Sequence, residues 1–264
     1  MRKTIFTLTA VVAVCILTLY ACRKNVKSDS TSVVSDEALT KIYNLGFSNK
    51  DVIADGKGNY IVEGDILLSE ADLNAKGDVS LLRVGGEEQY RTTNLVRNLP
   101  RTITVSLASN LSTWSTALNT ALARYNALGL QLTFTRVTSG ANISIVNGTG
   151  SFLASSGFPT SSGNPYNQVI LVSTAVAGQP QNTVASILAH EIGHCIGFRH
   201  TDYFNRAYSC GGSAVNEGSA GVGAINIPGT PTGADPNSWM LSCIGSGQNR
   251  PFNANDITAL NYLY

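Results

Sequence analysis

The three histidines of this 264-residue chain all lie in one eleven-residue stretch, at His190, His194 and His200. His190 and His194 are one helical turn apart, so their imidazoles project from one face and two ring nitrogens can meet one metal ion. Gly197 can end that helix with a positive φ that other residues resist. The chain then turns back, and His200 can add a third ligand from a new direction. Three neutral imidazoles leave one position of a tetrahedral zinc site open, as in catalytic rather than structural sites. An ion held this way supplies a nucleophilic water at neutral pH. Glu191 lies between the helical pair in sequence and can reach that water rather than the ion. It would accept the proton and pass it to a leaving amine. The implied reaction is peptide-bond hydrolysis by one catalytic zinc, with Glu191 as general base. His-Glu-x-x-His alone recurs by chance, but Gly197 and His200 at this spacing make the constellation specific. The bland alternatives are three ordinary histidines on a helix and loop, or a structural zinc, for which no fourth ligand stands nearby.

His190-Glu191-Ile192-Gly193-His194-Cys195-Ile196-Gly197-Phe198-Arg199-His200 resembles the motif of the metzincin zinc peptidases. The wording, followed by Thr201-Asp202, is most similar to the bacterial HEIGH metallopeptidases, which are astacin-like. Metzincins carry a methionine in a tight turn beneath the zinc. Ser238-Trp239-Met240 fits it, and Met240 is the only methionine besides Met1. Without the upstream motif, Met240 would read as a gap-filling core residue. The resemblance spans roughly Thr92 to Tyr264. It implies an α+β, metzincin-like catalytic domain: a twisted, mostly parallel sheet, an active-site helix and a C-terminal helix, preceded by a small pro-segment. Astacins place a zinc-reaching tyrosine two residues after the methionine. Ser242 stands there instead, with Tyr203 and Tyr208 as possible substitutes or, more simply, loop packing residues.

The elements that must position these residues follow from periodicity. Asn182 to Cys195 is a helix capped by Asn182 or Thr183, and Asn253 to Leu263 is a closing helix with Ile257, Leu260 and Leu263 on one face. Trp114 to Leu128 has helical apolar spacing. Thr102 to Leu107, Leu130 to Val137, Ile143 to Val146 and Val169 to Ser173 read as strands. Upstream, Ala38 to Leu45 is a short helix, Asn59 to Leu68 alternates like strands, and Lys76 to Gln89 is a Gly- and charge-rich boundary.

Composition sets the compartment. The chain is 43% hydrophobic and 13% charged with a formal net charge of +1, enough for a core and without an electrostatic footprint for nucleic acid. Arg2 and Lys3 precede an apolar run from Ile5 to Leu19, which reads as an export signal. Leu19-Tyr20-Ala21-Cys22 resembles a bacterial lipobox, with Cys22 as the lipidated mature N-terminus; the alternative is a plain signal or an uncleaved anchor. The expected divisions are 1–22 as signal, 23–37 as polar tether, 38–90 as pro-segment and 91–264 as peptidase domain. The expected setting is a monomer in the bacterial cell envelope, lipid-anchored or secreted after processing, acting on protein or peptide substrates. The alternative from another class is a non-catalytic envelope binding module that keeps the fold. Three cysteines remain outside the export segment, so one pair and one free thiol are expected. Cys210 and Cys243 flank a Gly-, Ser-, Ala- and Pro-rich loop that a bridge between them would close, with Cys195 left as a small buried hydrophobe; the alternative is three reduced thiols.

Val62-Glu63-Gly64-Asp65-Ile66 resembles, in part, the astacin pro-segment motif of an aromatic followed by x-Gly-Asp. That resemblance implies that Asp65 ligates the zinc in a latent form until cleavage near Arg83, Arg91, Arg97 or Arg101. The alternative is an ordinary Gly-Asp turn between strands.

Overall fold

The computed structural model describes residues 33–74, 89–218, 223–231 and 233–264. The export segment with Cys22, most of the polar tether, Arg83 and nearly all of the 76–89 boundary lie outside the described residues. Among the described residues no helix is long and apolar enough to cross a membrane.

Helix α1 (Asp36–Asn44) starts at Ser35, whose side chain accepts from the Ala38 amide, and buries Ala38 and Ile42. Strands β1 (Ile53–Ala54), β2 (Asn59–Val62) and β3 (Ile66–Ser69) follow, then the short α2 (Glu70–Asn74). The Asn59–Leu68 alternation is a two-stranded hairpin. Val62 pairs with Ile66 antiparallel, and the turn between them uses positive φ at Glu63 (56°) and Gly64 (95°). After β4 (Tyr90–Arg91) and β5 (Arg101–Leu107), a 3₁₀ turn (Ser109–Trp114) leads into α3 (Ser115–Asn126). Then come β6 (Leu132–Arg136), β7 (Ile143–Asn147), β8 (Ala154–Ser156) and β9 (Gln168–Leu171). The chain closes with α4 (Gln181–Ile196), α5 (Ala207–Cys210), β10 (Ile225–Asn226) and α6 (Ala254–Leu263).

The larger sheet among the described residues has the order β1-β2-β3-β8-β9-β7-β5-β6. The pairs β5–β6, β5–β7, β7–β9 and β3–β8 are parallel, and β8–β9 is antiparallel. The fold is therefore α+β with a mostly parallel sheet and a C-terminal helix. One apolar cluster joins the sheet to α3, α4 and α6 through residues such as Ile103, Leu118, Tyr125, Leu188 and Leu260. A second, around Ile42, Phe47, Val62 and Ile66, packs α1 on the β2–β3 hairpin.

One reading changes, and one strand was not expected. α4 begins at Gln181 with Pro180 as its cap residue, and neither Asn182 nor Thr183 caps it. Pro180 has no N–H to leave orphaned, and its φ of −58° suits the position before a helix. The Gln181 side chain instead joins α4 to α3, accepting from the Ala117 amide and donating to the Thr113 carbonyl. β8, by contrast, has no apolar–polar alternation to announce it: Ala154, Ser155 and Ser156 are all buried between β3 and β9.

Candidate metal centre and its carboxylates

α4 is buried all round from Thr183 to Ile196. It stops at Gly197, φ 116°. A Cβ there would stand 2.7 Å from Leu95 Cδ2 and 2.8 Å from the Asn94 carbonyl oxygen. The positive φ and this close approach both require glycine. The chain past Gly197 returns His200 to the helix face, where its ring lies 4.8 Å from that of His194 and 5.3 Å from that of His190.

The hydrogen bonds fix how the rings are used. His190 Nδ1 lies 2.8 Å from the Trp239 carbonyl oxygen, and His194 Nδ1 lies 2.8 Å from that of Phe198. His200 Nδ1 is 3.0 Å from both carboxylate oxygens of Glu217. Carbonyl and carboxylate oxygens only accept, so each Nδ1 carries the hydrogen and each Nε2 is left to face inward. His194 Nε2 and His200 Nε2 stand 3.2 Å apart. The buried His190 Nε2 has no hydrogen-bond partner. Converging, outward-anchored imidazoles with an orphaned ring nitrogen are the donor set of a transition-metal ion, and the residues present fit one.

Asp65 completes the group. Its Oδ2 lies 3.3 Å from His190 Nε2 and 3.1 Å from His200 Nε2, and its Oδ1 is buried without a hydrogen-bond partner. The four ligand atoms of Asp65, His190, His194 and His200 lie within 4.8 Å of one another. The Gly-Asp turn and the Asp65 contact are thus compatible: the hairpin turn is what carries the carboxylate to the histidines.

In the metal-free chain the charges at this cluster oppose each other. Burial, the largest single influence, raises Asp65, but His200, His190 and His194 together outweigh it and hold the carboxyl well below its ordinary range. Burial works against a charged His200, yet Asp65 and Glu217 push it well above the usual imidazole value. Burial, aided by the nearby His190 and His200, holds His194 well below it. Glu191 is pushed well above the ordinary carboxylate value, first by burial and then by the charge of Asp65. Its Oε2 accepts from Ser156 Oγ at 2.7 Å, so β8 orients the carboxylate.

Met240 is fully buried below α4. A Cβ on Gly193 would stand 2.6 Å from its Sδ, so the turn packs directly against the helix. The same turn supplies the Trp239 carbonyl to His190, and the Met240 carbonyl accepts from the Thr201 amide at 2.9 Å. Asp256 of α6 braces it, accepting from Ser238 Oγ at 2.8 Å and the Trp239 amide at 3.1 Å. Ser242 Oγ faces Asp202 Oδ1 (2.9 Å) and Glu217 Oε1 (3.2 Å). The Tyr203 ring packs edge-on against Tyr90 with centroids 4.5 Å apart, and Tyr208 donates to the Ala234 carbonyl oxygen. Cys210 and Cys243 form a disulfide, and Cys195 is free and buried.

Sequence reasoning passed over four contributors. Ser156 sits in an unannounced strand. Glu217 lies in a loop without a motif. Arg199 stands between the motif residues Gly197 and His200, and Glu63 pairs with it at 2.9 Å, both side chains fully buried. A glutamate and an arginine that fold shut cannot be told from solvated ones by type alone.

A zinc-peptidase type of centre, carried by a helix, a glycine stop and a methionine turn over a mostly parallel sheet, is the class these features define. The chain belongs to the dual-action HEIGH metallo-peptidase family, whose model matches residues 61–264. Among solved structures, one of myroilysin is 18% identical over 42% of this chain and 54% of its own, with a TM-score of 0.34. The chain thus spans about half of that structure's length. A second myroilysin structure is 15% identical over 62% of this chain and 83% of its own, TM-score 0.41. High choriolytic enzyme 1, a hatching-enzyme zinc protease of the medaka fish Oryzias latipes, is 20% identical over 61% of this chain and 88% of its own, TM-score 0.35. No curated protein matches the chain.

Proposed function

We propose that the chain is a zinc-dependent endopeptidase, made as a latent, envelope-anchored precursor. The observation that carries this reading is the inward convergence of three Nε2 atoms whose Nδ1 atoms are all anchored outward. His190, His194 and His200 would hold the ion. Bound there, it supplies a nucleophilic water at neutral pH and positive charge for a developing oxyanion. Glu191, held by Ser156, takes the proton from the attacking water and delivers it to the leaving amine. In the metal-free chain burial raises that carboxyl above its ordinary value, the direction a general base requires. A cavity of about 390 Å³ beside His190 and Glu191, walled by Ile187, Leu241 and Cys243, offers room for a substrate side chain. The binding-module reading is disfavoured because Glu191 is present and hydrogen-bonded.

Latency rests on Asp65. Its carboxylate occupies the space between His190 and His200, and its carbonyl accepts from the Ser156 amide at 2.9 Å. A substrate strand would thereby be denied both the metal's open position and the β8 edge. Residues 38–90 would be the pro-segment and 91–264 the peptidase domain. The matched family region starts at residue 61, upstream of Asp65. The lipid anchor at Cys22, the 1–22 signal and the envelope location rest on the sequence pattern alone.

The test is casein cleavage by the full-length chain and its variants. After activating cleavage, Glu191→Gln should retain Zn²⁺ and lose activity by about 10²–10⁴-fold. Cleavage at the parental rate would overturn the mechanism. Asp65→Ala in the uncleaved chain should be active without processing, and unchanged latency would refute the aspartate block.

A further inference from the structure

The three histidines are not held alike. His194 Nδ1 is anchored by a carbonyl four residues away, and His190 Nδ1 by the methionine turn beneath the helix. His200 lies beyond the glycine stop, with no helix to aim it. Its Nδ1 meets a carboxylate, Glu217, at 3.0 Å from each oxygen. Glu217 is itself 1% exposed and fixed from several sides. Its amide donates to the Tyr203 carbonyl at 2.7 Å, and Ser242 Oγ lies 3.2 Å from Oε1. Arg206 Nε stands 3.6 Å from Oε1 and Arg199 Nη2 3.9 Å from Oε2.

A plain counter-ion role toward Arg199 would explain a buried glutamate. The distances rank otherwise: Arg199 is paired with Glu63 at 2.9 Å and lies 3.9 Å from Glu217, whereas His200 Nδ1 lies 3.0 Å from it. Glu217 does not join the three-histidine centre as a ligand, because it contacts the ring nitrogen opposite the convergence point.

We propose that Glu217 is the positioning residue of the centre: its carboxylate fixes the Nδ1–H tautomer of His200, turns the ring toward the metal and raises its basicity. This rests on the reading of the three histidines as the metal site. A carboxylate behind a ligating imidazole strengthens the donor more than a neutral carbonyl does, and losing such a partner weakens metal binding by about 10–100-fold. The Glu63–Arg199 pair then has a second consequence. By occupying Arg199, Glu63 leaves the Glu217 carboxylate to His200.

The experiment uses the full chain. Zn²⁺ affinity is measured by chelator competition, and the absorption spectrum of the Co²⁺-loaded protein reports ligand geometry. Glu217→Ala should weaken Zn²⁺ binding toward the upper end of about 10–100-fold, and Glu217→Gln, which keeps an acceptor oxygen, toward the lower end. Both should shift the Co²⁺ bands, and Gln should recover part of what Ala loses. A purely structural carboxylate would alter the unfolding midpoint but leave the spectrum and affinity of the folded protein unchanged, and that result overturns the inference. Should Glu217→Ala fail to fold, Glu217→Gln decides alone: parental affinity and spectrum overturn the proposal. A parent chain that binds no Zn²⁺ overturns the metal-site reading with it, so the two failures are distinguishable.

Discussion

Gly193 stands between the two helical histidines, and replacing it with alanine sets two effects against each other. In the interior of α4, Gly→Ala should stabilise the helix by about 1 kcal/mol. The added Cβ, however, would stand 2.6 Å from Met240 Sδ and 3.1 Å from Trp239 Nε1. The first distance is about 1 Å short of optimal contact, in a core that yields little. Overpacking of this kind costs about 1–3 kcal/mol. Gly193→Ala should therefore lose up to about 2 kcal/mol net. The turn that must retreat also holds His190 through the Trp239 carbonyl, so Zn²⁺ affinity should fall in parallel. Urea unfolding of the metal-free protein and chelator competition measure the two effects. Met240→Ala alone should cost about 2–5 kcal/mol. Combined with Gly193→Ala it should cost less than the sum, because the colliding sulfur is gone. A Gly193→Ala variant that unfolds at higher urea than the parent, with undiminished Zn²⁺ affinity, would refute the reasoning.

Other perturbations have definite signs. The Cys210–Cys243 bridge spans a sequence separation of 33, and reducing it should cost about 4 kcal/mol on the chain-entropy account; an unchanged urea midpoint after reduction would contradict it. Arg199→Met should cost about 3–5 kcal/mol by leaving Glu63 buried and uncompensated, whereas adding Glu63→Gln should restore most of it; additive losses would show that the pair does not act as a unit. Burial pushes Asp256 up to about 7 in the folded chain, against about 4 when unfolded. Its stabilising contribution is thus complete below about 4 and is lost as the pH rises through 7. Asp256→Asn, which does not titrate, should gain on the parent in urea midpoint between about pH 5 and 8, and a pH-independent gap would be the refuting result.

Local sequence rules specify the parts of the centre taken one at a time. Helical spacing places His190 and His194 on one face whatever surrounds them, and Gly197 ends the helix because its φ and its close approach to Asn94 both exclude a side chain. Strong periodicity likewise announces α3, α6 and the strands β5, β6, β7 and β9, since a segment with one buried face must repeat its apolar residues at the period of its own geometry. Where burial is complete, that signal fades. β8 is a strand because β3 and β9 supply its hydrogen bonds, not because Ala154-Ser155-Ser156 prefers to be one. Long-range charge pairing was equally illegible. Glu63, Arg199 and Glu217 are distant in sequence and ordinary in type; only the packing that removes water from all three makes each depend on the others. The motif names the converging histidines, but which groups aim them depends on chain segments from Glu63 to Asp256 meeting in space, and no local pattern encodes that meeting.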